Sequence, residues 1–202
     1  MPAERTLDTR SSILEAAERL ILDRGLGSAT TREIARAAGC AEGSIYRYFD
    51  DKQALCMELV GIRYAGFFQL ITTLPERAGV ATVRRNLEEV ATRALDFYRG
   101  IVPMMGGALA DHELMEALRD HFLREGKGPM KLLARVAEYL RREQRLGRVS
   151  DRVSADMGAQ ALLGSCFGRA FLQRFLGPDV FDEPDDRFAR SLVKTLVQGL
   201  EP

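Results

Sequence analysis

Apolar residues in this chain recur every three or four positions and do not alternate, which predicts helices and no strands. From Thr9 to Arg24, Ile13, Ala16, Ala17, Leu20 and Ile21 fall on one stripe, with Gly25 as the stop. Thr30-Thr31-Arg32-Glu33 has capping-box form, a threonine answered by a glutamate three residues on. Ile34, Ala35 and Ala38 then form the apolar face of a short second helix, closed at Gly39. A third short helix is predicted over about 42–49. A fourth runs from a cap at Asp50 or Asp51 to about Leu74, where Pro75 and Gly79 break it. Further helices are expected at about 82–99, 111–124, 129–145, 152–176 and 185–199. Pro103, Gly126-Lys127-Gly128-Pro129, Gly147 and Gly177-Pro178 punctuate them. The fold class is all-α: a small module over residues 1–52 and a larger helical body over residues 53–202.

Composition narrows the class. The 202 residues are 46% hydrophobic and 29% charged, as in ordinary globular proteins. No apolar run reaches the ~18–20 residues of a membrane span, so no membrane partner is expected. Met-Pro-Ala-Glu-Arg opens no apolar stretch, which predicts no signal peptide. Cys40, Cys56 and Cys166 are odd in number and widely spaced, which fits a reducing cytoplasm and no disulfide framework. The 29 basic residues balance 29 acidic ones. Residues 1–52 carry eight Arg or Lys against nine Asp or Glu. Any affinity for nucleic acid must therefore come from arrangement and not from bulk charge.

That arrangement is suggested by Gly39-Cys40-Ala41-Glu42-Gly43-Ser44-Ile45-Tyr46-Arg47-Tyr48-Phe49. A helix, a glycine turn and a second short helix make a helix-turn-helix. A helix this short is marginal alone, so packing must hold it. Ile34, Ile45 and Phe49 are expected to point inward with Leu14 or Ala17, leaving Ser44, Tyr46, Arg47 and Tyr48 outward. A tyrosine hydroxyl suits a phosphate oxygen, and an arginine suits a phosphate or a guanine edge. Gly43 admits close approach to a duplex.

The pieces "ILEAAERLILDRG", "ATTREIARAAG", "EGSIYRYF" and "DKQAL", in this order and spacing, resemble the TetR family of bacterial transcriptional regulators. The close resemblance covers about residues 9–56 and is architectural beyond residue 60. It implies a homodimer whose third helices enter successive major grooves of a palindromic operator. Carried over residue by residue, Thr30 and Thr31 would touch phosphate, and Arg32 phosphate or a base. Gly43, Ser44 and Arg47 would face base edges, Tyr46 and Tyr48 the backbone, and Lys52 a phosphate. Two positions depart from the family pattern. Ala41 stands where a serine commonly caps the third helix, and Glu42 where a basic or small residue is frequent. Near the groove a glutamate repels phosphate unless it accepts from a cytosine amino group.

Other features receive plainer readings. His112 and His121, nine residues apart on a helix, lie on opposite faces and cannot share a metal. No metal or cofactor is expected, and nothing resembles a catalytic triad or an acid–base pair, so the chain reads as no enzyme. Cys40 and Cys166 read as small buried hydrophobes. The acidic run Asp182-Glu183-Pro184-Asp185-Asp186 reads as a solvated loop with Asp185 or Asp186 capping the last helix.

Gly158, Ala161, Gly164, Ser165 and Gly168 recur at helical spacing, as a close helix–helix contact requires. With Phe188, Leu192 and Leu196 on the last helix they are the expected dimer interface. The resemblance also implies an effector pocket in the body. Phe67, Phe68, Tyr98, Phe167 and Phe171 are its aromatic candidates. Met104, Met105, Met115, Phe122 and Met130 complete the set, with an irregular wall expected after Pro103. The function implied is a cytoplasmic one-component repressor that binds operator DNA and is released by a small, largely apolar effector. The alternative is an all-α protein-interaction module that has lost specific DNA binding, as the zero net charge and Glu42 would suit.

Overall fold

A computed structural model of the chain describes residues 3–24, 29–109, 112–125 and 128–200. Among these there are ten α-helices and no strand: α1 (Ala3–Arg24), α2 (Thr31–Ala37), α3 (Glu42–Tyr48), α4 (Lys52–Arg63), α5 (Ala65–Thr73), α6 (Val83–Leu109), α7 (His112–Glu125), α8 (Pro129–Arg145), α9 (Ala155–Leu176) and α10 (Asp185–Leu200). Gly25, expected to stop the first helix, and Asp111, Gly126 and Lys127 fall outside the described residues. The described residues within 1–64 and 100–123 form one compact unit, and those within 65–99 and 124–202 form another.

The first unit is built on the stripe of α1. Ile13, Leu14, Ala16, Ala17 and Ile21 are buried against Ile34 and Ala35 of α2, Ile45 of α3, and Phe49. Leu55, Cys56 and Leu59 of α4 close the same core, together with Met104. This unit therefore runs past residue 52, because α4 is the fourth wall of the core. Asp51 caps α4 by accepting from the Ala54 amide at 2.6 Å. Gly39 sits at φ +69°, which lets the chain turn sharply between α2 and α3.

Two boundaries differ from the sequence expectation. The helix opened by Lys52 stops at Arg63 and does not continue to Leu74. Tyr64 leaves the helical region at φ −108°, ψ 22°, and its hydroxyl occupies the space a side chain at Gly100 would need. The helix begun at Val83 runs through Pro103 to Leu109, so the expected irregular wall after Pro103 is helical. The proline removes one helical hydrogen bond, and continuing turns on both sides carry the helix past it.

In the second unit the buried apolar residues are Phe67, Leu70, Ile71 and Leu74, with Leu87, Val90 and Leu95 of α6, Leu132, Val136 and Leu140 of α8, and Leu162 and Leu163 of α9. A polar network sits inside this core. The Asn86 side-chain amide donates to the Val80 carbonyl and the Tyr139 hydroxyl, both at 3.0 Å. Glu143, fully buried, accepts from the Gly79 amide at 3.2 Å and pairs with Arg148 at 3.3 Å. Burial pushes the Tyr139 hydroxyl above its ordinary pKa, with Glu143 adding to the effect. The guanidiniums of Arg135, Arg142 and Arg148 donate to the carbonyls of Thr72, Pro75 and Ala81. They satisfy backbone acceptors where α5 ends and the chain turns toward α6.

Ile45 is the only buried residue of α3. Ile45→Ala should destabilise the protein by about 2–5 kcal/mol through the lost burial and the cavity left behind. Urea unfolding followed by circular dichroism measures this, and a change under about 1 kcal/mol would contradict the packing described.

Candidate nucleic-acid interface

The candidate site is the α2–turn–α3 surface of the first unit. Its geometry starts with the cap. Thr30 Oγ1 accepts from the Glu33 amide at 3.2 Å, and Glu33 Oε2 accepts from the Thr30 amide at 3.1 Å. The predicted capping box is present. α3 starts from Ala41 with no side-chain cap, so backbone and packing alone define its start.

Ile45 and Phe49 anchor the inner face of α3, and its opposite face is open. Tyr46 is 55% exposed, and Glu42, Gly43 and Arg47 are exposed beside it. A side chain at Gly43 would meet nothing within 4 Å. Ser44 is half-buried. Tyr48, expected to face outward, is half-buried and packs against the core. Lys52 opens α4 and is half-buried.

The structure engages two hydroxyls that were expected to meet phosphate. Thr31 Oγ1 donates to Glu42 Oε1 at 2.8 Å, and Tyr46 Oη lies 3.2 Å from the same Thr31 oxygen. Glu42 is therefore part of a polar bridge between α2 and α3. Sequence spacing gives no signal for this pairing, because Thr31 and Glu42 lie on different helices.

Charge is sorted by position. Arg10 pairs with Glu58 and lies over the Phe49 ring, 5.4 Å from its centre. Arg63 pairs with Glu18. Among the described residues, the exposed Arg32, Arg36 and Arg47 make no ion pair. Arg32, Arg36 and Arg47 thus leave unpaired positive charge on α2 and α3, although the segment as a whole is not basic.

The family model described as "Bacterial regulatory proteins, tetR family" matches residues 13–59. That described as "AefR-like transcriptional repressor, C-terminal domain" matches residues 85–199, over half of the chain. The chain belongs to the TetR family. It is a transcriptional regulator by family and not an enzyme. HTH-type relatives match nearly its whole length. The uncharacterized HTH-type transcriptional regulator YdeS of Bacillus subtilis is 22% identical over 96% of this chain and 90% of its own. The transcriptional regulator FadR of Bacillus subtilis, solved in complex with stearoyl-CoA, superposes with a TM-score of 0.69 at 19% identity, covering 95% of this chain and 99% of that one. SmeT, the repressor of the Stenotrophomonas maltophilia multidrug efflux pump SmeDEF, superposes with a TM-score of 0.71 at 21% identity, covering 96% and 92%. Both superpositions support the TetR fold.

Of the residues expected to line an effector pocket, the aromatic candidates of the second unit lie together. Phe67, Phe97, Tyr98, Phe167 and Phe171 form a run of ring contacts in the second unit, with centres 4.7–6.3 Å apart, and Phe68 flanks it. Met104 instead lies in the core of the first unit, and Met115 packs against that core. Phe122 meets His121 at 6.1 Å, Met105 is half-buried, and Met130 is exposed.

The expected interface residues also divide. Gly158 faces α8, where an added Cβ would lie 2.9 Å from Leu140, so its absent side chain serves packing within the chain. Gly164 and Gly168 open onto clear space. Ala161 and Ser165 are half-buried, and Phe171, Leu172 and Phe175 are exposed farther along α9. Phe188 packs on Arg169, whose guanidinium carbon lies 4.6 Å from both the Phe181 and Phe188 ring centres. Leu192 and Leu196 are half-buried on α10. Asp185, expected as a cap, accepts from Arg169 at 2.9 Å and pairs with Arg99. Asp186 is bonded to Arg190 at 2.7 Å, which holds its carboxyl below the ordinary value.

Burial pushes the Cys56 and Cys166 thiols up to about 12, while Cys40 in the turn is half-buried. At pH 8 only roughly one in ten thousand of either raised thiol is ionised. Iodoacetamide at pH 8 should therefore label Cys40 and spare the other two in the folded protein. Mass spectrometry showing early labelling of Cys56 or Cys166 would contradict this burial.

Proposed function

We propose that the chain is a homodimeric repressor that binds a palindromic operator through residues 1–52 and releases it when a small, largely apolar effector binds the helical body. One observation carries the DNA-binding part. The open face of α3, with Gly43, Tyr46 and Arg47 on it, is anchored from behind by Ile45 and Phe49. Arg47, Gly43 and Ser44 meet base edges, while Arg32, Lys52 and the Thr30 end of α2 meet phosphate. Base edges specify and phosphates position.

The dimer half of the proposal rests on α9 and α10. Gly164 and Gly168 with Ala161 and Ser165 give a flat stripe, and the exposed Leu172 and Phe175 continue it. Contiguous exposed apolar surface of this kind marks an interface. Leu192 and Leu196 lie on α10, which packs against α9. The effector half is supported by the aromatic run from Phe67 to Phe171, which would receive an acyl or ring-bearing ligand. Such a ligand acts only through its different affinity for two arrangements of the protein. The arrangement it favours shifts α4 and sets the two α3 helices at the wrong separation. The site of action is the cytoplasm, where operator DNA lies.

Two measurements test this. If Arg32 and Lys52 of each subunit neutralise phosphates while Arg47 meets a base edge, log K against log salt has a slope of about −4 for the dimer, from ~0.9 per phosphate. Lys52→Ala should flatten that slope by about two, nearly independently of operator sequence. Binding that ignores salt, or an unchanged slope in Lys52→Ala, would overturn the docking.

Assembly is tested separately. Gly164→Leu and Gly168→Leu should give monomers at micromolar concentration by light scattering, with the helical content retained. Dimers persisting in both would move the interface away from α9.

A further inference from the structure

We infer that Glu42 and Tyr46 form an acceptor edge that selects an amino-bearing base, cytosine or adenine, at one position of each operator half-site, with Thr31 as the residue that holds the edge in place. The inference rests on the DNA-binding reading above and adds what that surface demands of its DNA. The key is the direction of two hydrogen bonds. Thr31 Oγ1 lies 2.8 Å from Glu42 Oε1 and 3.2 Å from Tyr46 Oη. A threonine hydroxyl has one hydrogen, and an ionised carboxylate has none to give. Thr31 therefore donates to Glu42, and its oxygen is left to accept from Tyr46. The relay runs from Tyr46 to Thr31 to Glu42, out of α3 into α2 and back.

Both ends of this relay are on the open side of α3, and the residues are four apart, hence neighbours on one face. With both hydroxyl hydrogens spent inside the relay, Glu42 and Tyr46 present lone pairs outward. Phosphate oxygens are themselves anionic acceptors, so this edge repels the backbone. In the major groove the hydrogen-bond donors are the N4 amino group of cytosine and the N6 amino group of adenine. The edge is complementary to those two groups and to no other polar group there. Arg47, the next residue, supplies the opposite chemistry and suits guanine or phosphate acceptors. Thr31 acts through Glu42 and is a positioning residue.

Selection from a randomised palindromic duplex pool tests this with the full-length protein. The wild type should enrich cytosine or adenine at one symmetric position, roughly tenfold over the other bases. Glu42→Ala should bring all four bases at that position within about threefold and keep the preferences elsewhere. Thr31→Val, which keeps the shape and removes the hydroxyl, should weaken discrimination at the same position alone. A purely structural role for Thr31 would instead lower affinity equally for every sequence, and that result would overturn the relay. Guanine or thymine at the position, or an unchanged preference in Glu42→Ala with uniformly tighter binding, would overturn the acceptor edge. A wild type that selects no sequence at all would overturn the DNA-binding reading as well, a result distinct from the others.

Discussion

The burial of Ile45 is the contact on which the proposed interface depends. α3 has seven residues and lacks a side-chain cap, so its own backbone cannot hold it helical in water. Ile45, with Phe49 just beyond the helix, ties it to the α1 stripe and to Ile34. Because the inner face is fixed in this way, the positions between the anchors are turned outward. Exposure of Tyr46 and Arg47 is thus a consequence of core packing. The same core takes in Leu55, Cys56 and Leu59, so α4 is coupled to the pose of α3 through shared buried neighbours.

A neutral chain leaves some of its arginines outside ion pairs on α2 and α3 by pairing others elsewhere in the same unit. Arg10 and Arg63 are paired with Glu58 and Glu18 across α1 and α4. Exposed pairs of this type contribute little to stability, yet they remove both signs from the outward field. Arg32, Arg36 and Arg47 are then the cations outside ion pairs on α2 and α3 among the described residues. Glu42 is a local exception, since it is bonded to Thr31 and contributes acceptors where the arginines contribute donors.

The second unit uses buried polar groups to fix a turn. Glu143, Tyr139 and Asn86 meet inside an otherwise apolar core and bind the backbone at Gly79 and Val80. A buried network of this kind is favourable only when its members are paired, so it specifies one path for the chain between α5 and α6. Arg169 does similar work at the other end of the unit, stacked between Phe181 and Phe188 and bonded to Asp185. α9 is left with small residues and large apolar ones on its exposed side.

The sequence by itself determined the helical class, the capping box at Thr30, the turn at Gly39 and the inward set of Ile34, Ile45 and Phe49. These are local properties, because helical period, capping and glycine conformation act within one or two turns. The family was legible in the same stretch for the same reason: its motif is contiguous. Tertiary structure alone decided the rest. Tyr64 breaks the α4 helix beside a glycine that is distant in sequence, and α6 continues through Pro103. Gly158 faces Leu140 while Gly164 and Gly168 face open space, although all three share one spacing pattern. Met104 and Met115, expected in the pocket, join the core of the first unit, because an apolar residue's sequence shows that it is buried, not which neighbour buries it. The Thr31–Glu42–Tyr46 bridge belongs to the same class, since it joins two helices whose relative pose is set by the core beneath them.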